Sequence, residues 1–320
     1  MAEIPERSIS DDQLRLMREK TWNVFADFID KDVDAPLIEF CGYYFTPKFL
    51  HFMERMIPMD IDKEDVFVCS FPKSGTTWMQ HIVWYICTLD FDTEEEIDFR
   101  FPQLDMPAPY PPKPENLDEI LKNPPPRFFK SHCAASFLPK KVWDAKLIYC
   151  YRNPKDCCVS YFHHQRAMAP VCYSGTFDQF AELFVQGKAI YGPWHRNVRS
   201  YYDAMKEGKP VLMVAFEDMK KDRMGTIKRV AEFLGKQLTE EQFQKVYEAT
   251  SFEVMKKNET GNYEYLKQIG FWDNKMQPFM RKGKVGDWKN YLAPEMQEKF
   301  DNLIKEHFGD TDLKFSDKQQ

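Results

Sequence analysis

The sequence has no run of about eighteen apolar residues, the length that a membrane-spanning helix requires. Its first ten residues are polar and lack the apolar stretch of a secretion signal, so we expect a cytoplasmic protein without a membrane anchor. The 320 residues also lack a basic excess, since the formal net charge is −6. A negative net charge argues against broad binding to nucleic acid or to anionic membranes, because both require a basic face.

Motifs for metal ions are missing as well. The 8 cysteines form no CxxC pair, and no HExxH sequence occurs. Five of the cysteines lie in apolar or helical contexts, which are typical of buried, reduced thiols: Cys69, Cys87, Cys150, Cys157 and Cys158. We therefore expect reduced cysteines and no bound metal.

One stretch predicts a strand, a tight loop and a helix in succession. The run Val66 to Phe71 is apolar and leads into Pro72-Lys73-Ser74-Gly75-Thr76-Thr77-Trp78, after which apolar residues recur at helical spacing to Leu89. A loop of this kind directs backbone N–H groups and the positive end of a helix at an oxyanion. The alternative interpretation of the local pattern is a βα turn that carries a lysine without binding anything. The loop is not a standard Walker A motif, because Lys73 precedes Gly75 instead of following it.

The rest of the chain predicts one α/β domain over residues 1–320. Apolar strands at 127–132, 146–152 and 211–216 alternate with amphipathic helices, two of them at 223–234 and 239–252. This pattern favours a central, mostly parallel sheet flanked by helices, with ligands at the carboxyl ends of the strands. Residues 1–35 are predicted to form a helical extension. The proline-rich stretch 101–126 is predicted to form a loop over the acceptor site.

Polar side chains collect at those strand ends. Lys130 and His132 are two residues apart on one strand, with Ser131 between them. Both side chains can therefore face the same side, toward the Lys73 loop. A histidine near an alcohol can act as a general base, and lysines can neutralise charge on a transferred group. Arg152 ends the next strand and suits a phosphate dianion. Taken singly, each of these residues also has a structural or surface interpretation.

The chain resembles the cytosolic sulfotransferase family from about residue 36 to residue 308. Five motifs carry the resemblance in order: Pro-Lys-Ser-Gly-Thr-Thr-Trp at 72–78, Lys-Ser-His at 130–132, Arg-Asn-Pro-Lys-Asp with Val-Ser-Tyr at 152–161, Thr-Ser-Phe at 250–252, and Arg-Lys-Gly with Gly-Asp-Trp-Lys at 281–289. The resemblance implies sulfuryl transfer by in-line displacement, from 3′-phosphoadenosine 5′-phosphosulfate to the hydroxyl of a small lipophilic acceptor such as a phenol or steroid. It also implies that the nucleotide product is adenosine 3′,5′-bisphosphate and that no metal is needed.

The resemblance further implies a role for each matching residue. His132 is the catalytic base, Lys73 neutralises the leaving oxygen, and Lys130 steadies the transferring group. The remaining implied residues hold the nucleotide: Ser74, Gly75, Thr76 and Thr77 at the phosphosulfate; Trp78 and Phe252 at the adenine; Arg152, Ser160, Arg281, Lys282 and Gly283 at the 3′-phosphate; and Phe216, Thr250 and Ser251 elsewhere along the cofactor. Ser160 is also counted among the catalytic candidates.

At two places this chain departs from the family pattern, which limits what the resemblance implies there. Phe216 stands where the family usually has tyrosine, which removes a hydroxyl near the nucleotide. The segment 289–298 resembles the family's dimer motif in Lys289 and Glu298, but Ala293 and Pro294 fill its centre. We expect a homodimer through this region.

Two other functions compete with sulfuryl transfer. A P-loop nucleotide kinase would use magnesium at Asp218, after the strand 211–216. A non-catalytic binder of a lipophile would keep the fold without the chemistry. The acceptor itself is not encoded in a motif, although aromatic residues favour a flat or elongated apolar alcohol or phenol over a sugar; the candidates for its pocket are Tyr43, Tyr44, Phe45, Phe99, Phe101, Tyr161 and Phe271.

Overall fold

A computed structural model of the chain describes residues 37–46, 53, 55–105, 120–168, 171, 173–273 and 275–316. The predicted N-terminal helix and most of the proline-rich loop lie outside these residues. The described part contains two sheets. A short antiparallel hairpin pairs β1 (Ile38–Phe40) with β2 (Tyr43–Phe45).

The larger sheet has four parallel strands in the order β4-β3-β5-β6. These are β3 (Val66–Ser70), β4 (Phe128–Ser131), β5 (Lys146–Tyr151) and β6 (Val211–Ala215). All five residues of β3 are buried, because helices cover both faces of the sheet. The prediction of an α/β domain with a parallel sheet is confirmed.

The two faces of the sheet belong to two hydrophobic cores. Phe67 and Cys69 of β3 pack on one side with Tyr149, whereas Val66 and Val68 pack on the other. This division follows from the strand period of two, which sends successive side chains to opposite faces. The carboxyl ends of all four strands therefore meet at one edge, which positions the candidate site.

The helices follow the predicted alternation with the strands. Their bounds are α1 (Thr76–Thr88), α2 (Ile97–Arg100), α3 (Pro154–Ala167), α4 (Phe177–Val185), α5 (Trp194–Lys206), α6 (Phe216–Lys221), α7 (Arg223–Leu234), α8 (Glu240–Ala249), α9 (Phe252–Lys257), α10 (Tyr265–Gln268) and α11 (Pro294–Phe308), with short 3-10 helices at Ala135–Phe137, Val142–Asp144 and Asp287–Asn290. None of the described helices is long and apolar enough to cross a membrane.

One predicted helix is wrong in its extent. The segment 239–252 forms α8 only to Ala249, and α9 starts separately at Phe252. The reason is local, because the Ser251 side chain accepts the Val254 N–H and so caps a new helix. The break brings the Thr250 carbonyl to the indole of Trp78, whose Nε1 donates to it at 2.9 Å.

Candidate active site

The loop between β3 and α1 has the backbone of an anion cradle. Lys73 and Gly75 both have positive φ, 68° and 103°. The backbone therefore makes a tight turn at these two residues instead of continuing as a strand. Glycine is required at 75, because a Cβ there would lie 2.9 Å from the side chains of both Phe216 and Met219. The N-terminus of α1 receives no side-chain cap from the described residues. Its free N–H groups and the helix dipole therefore favour an anion at this point.

Two lysines stand at this edge without a carboxylate partner among the residues the structure describes. Lys73 Nζ lies 3.8 Å from the centre of the Phe279 ring, and Lys130 is buried and donates to the Tyr263 hydroxyl at 3.1 Å. Burial, and then the positive charges of Lys130 and Arg152, lower the pKa of Lys73 to about 7. A half-buried cluster of like charges is costly by itself and is relieved by a bound anion.

His132 is held as a neutral base. Its Nδ1 lies 2.9 Å from the Ser70 carbonyl oxygen, which can only accept, so the Nδ1–H donates there. This tautomer leaves the lone pair on Nε2. Burial, and then the charge of Lys130, lower the pKa of His132 to about 4, so the imidazole is uncharged at neutral pH. An uncharged Nε2 beside two lysines is suited to remove a proton from a hydroxyl.

A buried carboxylate, Asp105, organises the strand end that carries His132. Its Oδ2 accepts the backbone N–H groups of His132 and Cys133 and the Ser131 hydroxyl. Its Oδ1 accepts from the Tyr191 hydroxyl at 3.3 Å. Asp105 was not predicted from the sequence, although an acidic residue in an otherwise apolar stretch is a usable signal.

Arg152 connects the loop that carries Lys73 with the loop that carries Lys284. One guanidinium nitrogen donates to the Lys73 carbonyl at 3.1 Å and another donates to the Lys284 carbonyl at 3.0 Å. Its buried Nε has no hydrogen-bond partner among the described residues. Arg152 therefore has a structural role that the sequence did not indicate, and its phosphate contact stays a prediction.

The loop at 281–288 is tied down by two aspartates. Arg281 and Lys282 pair with Asp287 at 2.6 and 2.8 Å, and Asp156 accepts the N–H groups of Gly286 and Trp288. Burial opposes the charge of Asp287, but hydrogen bonds from Lys282 and Arg281 lower its pKa to about 2. Arg281 Nη1 is buried and lacks a partner within the described chain. Two buried N–H donors, Arg152 Nε and Arg281 Nη1, thus lack a partner among the described residues, and we call them orphaned donors. Both belong to arginines that were predicted to bind the 3′-phosphate.

Aromatic rings lie close together at the starts of α1, α6 and α9. The rings of Trp78 and Phe216 are 5.8 Å apart, and Lys220 Nζ lies within 6 Å of the rings of both Trp78 and Phe252, at 5.7 and 5.9 Å. Lys220 was not predicted. Ser251 caps α9 and the Thr250 hydroxyl donates to the Val246 carbonyl, so these two side chains are used within the fold. Thr76 and Ser74 are buried, and Thr77 and Ser160 are half-buried, on α1, its loop and α3.

Five of the predicted aromatic pocket residues belong to the two hydrophobic cores: Tyr43, Phe45 and Tyr161 to one, and Phe101 to the other, with Phe271 packed against it. Phe45 and Tyr161 lie in the same core. The Tyr191 ring joins Phe45 to His132, because it is 6.2 Å from the Phe45 ring and 5.6 Å from the His132 ring. Phe101 is fully buried against Trp84 and Phe128 in the opposite core. Sequence analysis missed Tyr191, Tyr263 and Phe279, because nothing in their local sequence distinguishes them from other aromatic residues.

The lowered pKa of Lys73 should make nucleotide binding depend on pH. An anion bound at the loop raises this pKa, so binding above pH 7 requires uptake of a proton. Below about pH 7 the free lysine is already charged and no uptake is needed. Affinity for adenosine 3′,5′-bisphosphate should therefore fall by up to about tenfold for each pH unit above 7. Calorimetric titrations between pH 6 and pH 9 test this, and Lys73→Arg, which stays charged, should flatten the profile; an equally steep profile in that variant would contradict the assignment.

A second prediction concerns Gly283. Its φ is +58°, and a Cβ would lie 2.6 Å from the Phe252 ring. Gly283→Ala should displace that ring and weaken binding of the bisphosphate by about tenfold. Gly208→Ala is the matched control, because Gly208 has a φ of +82° and no atom within 4 Å of its Cβ position. Equal loss of nucleotide affinity in both variants would show that backbone strain alone is responsible.

Comparison with known proteins identifies the family. Residues 63–312 match the sulfotransferase domain family. Sulfotransferase 1C2 of Rattus norvegicus is 36% identical over 258 residues, 79% of this chain and 86% of that protein. The amine sulfotransferase of Oryctolagus cuniculus is 34% identical over 279 residues, with 86% of this chain and 91% of that protein covered. A crystal structure of retinol dehydratase with retinol and PAP superposes with a TM-score of 0.77 at 30% identity, covering 97% of this chain and 98% of that one. The chain belongs to the sulfotransferase family.

Proposed function

We propose that this protein transfers a sulfuryl group from 3′-phosphoadenosine 5′-phosphosulfate to the hydroxyl of a small lipophilic acceptor. The observation that carries the proposal is the neutral His132, whose Nδ1–H is used by the Ser70 carbonyl, next to Lys73 and Lys130. Two of the similar crystal structures are of retinol dehydratase, one with retinol and PAP and one with androsterone and PAP. These ligands support a lipophilic acceptor and an adenosine bisphosphate nucleotide for the present chain.

Four features of the site fit the nucleotide. The glycine cradle at Gly75 and the uncapped start of α1 suit the 5′-phosphosulfate. The orphaned donors Arg152 Nε and Arg281 Nη1 suit the 3′-phosphate. The rings of Trp78 and Phe252 suit the adenine, which they would contact from opposite sides.

The donor supplies an activated sulfuryl group, and the chain supplies position and charge. His132 Nε2 removes the proton of the acceptor hydroxyl as the oxygen attacks. Lys73 neutralises the oxygen on the leaving phosphate, and Lys130 balances charge on the group in transfer. Ser160, one turn before His164 on α3, is proposed to help hold the 3′-phosphate.

The kinase alternative has weaker support. Asp218 is exposed on α6, and the family match extends over most of the chain. A direct test incubates the purified protein with labelled phosphosulfate donor, a panel of phenols, steroids and long-chain alcohols, and a chelator of divalent ions. Transfer is expected without magnesium. Phosphoryl transfer from ATP that depends on magnesium would replace this proposal, and donor binding without transfer to any acceptor would favour a binding role.

Two further proposals concern assembly and location. The segment 289–298 presents Lys289, Ala293, Pro294 and Glu298 at the surface, as a homodimer contact requires. We propose that the protein is a homodimer through this segment and that it is cytoplasmic. Sedimentation of the purified protein and of Glu298→Arg tests the dimer, because a reversed charge should yield monomer.

A further inference from the structure

A second histidine lies next to the proposed reaction centre. His164 is four residues after Ser160 on α3, so both occupy the same face of that helix. Its ring is 5.3 Å from Trp272, 5.9 Å from Phe279 and 6.0 Å from Tyr161. We call these three rings the aromatic box. The sequence analysis did not include His164 among the site residues.

The aromatic box adjoins the groups that perform the transfer. Phe279 is the ring over which Lys73 Nζ lies at 3.8 Å, and it also packs at 4.4 Å on Tyr263, the hydrogen-bond partner of Lys130. Burial, and then the charges of Lys73, His132 and Lys130, hold the pKa of His164 well below its usual range. The imidazole is therefore neutral, with one N–H donor and one acceptor nitrogen.

Among the described residues, one of those two nitrogens has no hydrogen-bond partner. Nδ1 of His164 is buried and has no hydrogen-bond partner in the part of the chain that the structure describes. The neighbouring histidines differ, since His163 Nε2 bonds the Tyr291 hydroxyl at 3.0 Å and His132 Nδ1 bonds the Ser70 carbonyl. A buried polar atom left unpaired is destabilising, so a native site that contains one is expected to receive a partner.

We propose that His164 is a specificity-determining residue that hydrogen-bonds a second hydroxyl of the acceptor, separate from the hydroxyl that receives the sulfuryl group. This inference rests on the proposed function. A hydroxyl is the fitting partner because it both donates and accepts, so it satisfies Nδ1 in either tautomer. The aromatic box around the imidazole suits a flat apolar ring that carries the two hydroxyls.

The expected consequence is discrimination between diols and simple alcohols. An acceptor that lacks the second hydroxyl leaves Nδ1 unpaired, whereas a diol pairs it. We expect kcat/KM for the best-fitting diol to exceed that of the matching simple alcohol by about tenfold to a hundredfold.

The test compares naphthol, a set of naphthalenediols with the second hydroxyl at different distances, and their monomethyl ethers. His164→Phe replaces the imidazole with an apolar ring of similar size, and His164→Asn retains a polar group near the position of Nδ1. The ratio of kcat/KM between diol and naphthol is measured for the unmodified protein and both variants. Affinity for adenosine 3′,5′-bisphosphate, measured alongside, verifies that each variant is folded.

In the unmodified protein we expect a high ratio of kcat/KM between diol and naphthol. In His164→Phe the ratio should fall to near one, because kcat/KM rises for naphthol and falls for the diol. In His164→Asn the ratio should recover in part. The monomethyl ethers should behave as poor acceptors if Nδ1 accepts and as good ones if it donates. Equal change for diol and naphthol in His164→Phe would overturn the inference while leaving the proposed function intact. No transfer to any acceptor by the unmodified protein would overturn the proposed function, and this inference with it.

Discussion

Replacing His132 with alanine should lower kcat by about a hundredfold to ten-thousandfold, while affinity for adenosine 3′,5′-bisphosphate stays within about twofold. The reason is that the acceptor hydroxyl then has no base to take its proton, whereas none of the groups proposed to bind the nucleotide is removed. Initial rates with a saturating acceptor and calorimetric titration with the bisphosphate measure the two quantities separately.

The sharper comparison is between two conservative variants of the same residue. In His132→Asn, the amide N–H can replace Nδ1 and donate to the Ser70 carbonyl, but no base remains at the position of Nε2. We therefore expect His132→Asn to be as inactive as His132→Ala. Substantial recovery of kcat in His132→Asn would indicate that the histidine only supports the strand end. His307→Ala, which changes a histidine on α11, serves as the control for general loss of stability.

Lys73→Met should have the second largest effect, a loss of about a hundredfold to a thousandfold in kcat. Methionine has a similar length and can still pack on the Phe279 ring, which the ammonium contacts at 3.8 Å, so the variant removes charge more than packing. Negative charge grows on the leaving oxygen during transfer. For this reason kcat should fall more than affinity for the product bisphosphate does.

Two further substitutions distinguish charge from shape at this position. Lys73→Arg should retain part of the rate, because it keeps the charge but not the point geometry of an ammonium. Lys63→Met removes an exposed lysine shortly before β3 and should leave the rate unchanged. If weaker binding of the nucleotide accounts for the whole loss of activity in Lys73→Met, then this lysine binds the donor without assisting departure of the leaving phosphate.

The local sequence was sufficient for the sheet and its loop. Strands β3 to β6 are short apolar runs flanked by polar residues, and the loop at 72–77 lies directly between a buried strand and a helix. Both features can therefore be recognised from neighbouring residues. The family resemblance then predicted which residues at the strand ends form the site. The extent of helix 239–252 was mispredicted, because the cap formed by Ser251 competed with a continuous apolar pattern.

Only the tertiary structure decided how the groups at that edge are paired. Asp105 reaches the strand end of His132 across 27 residues, Arg152 spans from the Lys73 carbonyl to the Lys284 carbonyl, and Phe279 meets Lys73 from the far end of the chain. Such contacts leave no periodic signal, because they depend on where separate elements pack and not on the spacing within one of them. The sequence by itself therefore determined the sheet, the loop at 72–77 and the residues gathered at the strand ends. The fold determined the neutral tautomer of His132, the lowered pKa of Lys73 and the lack of a hydrogen-bond partner for His164 Nδ1 within the described residues, because these follow from burial and from partners distant in the chain.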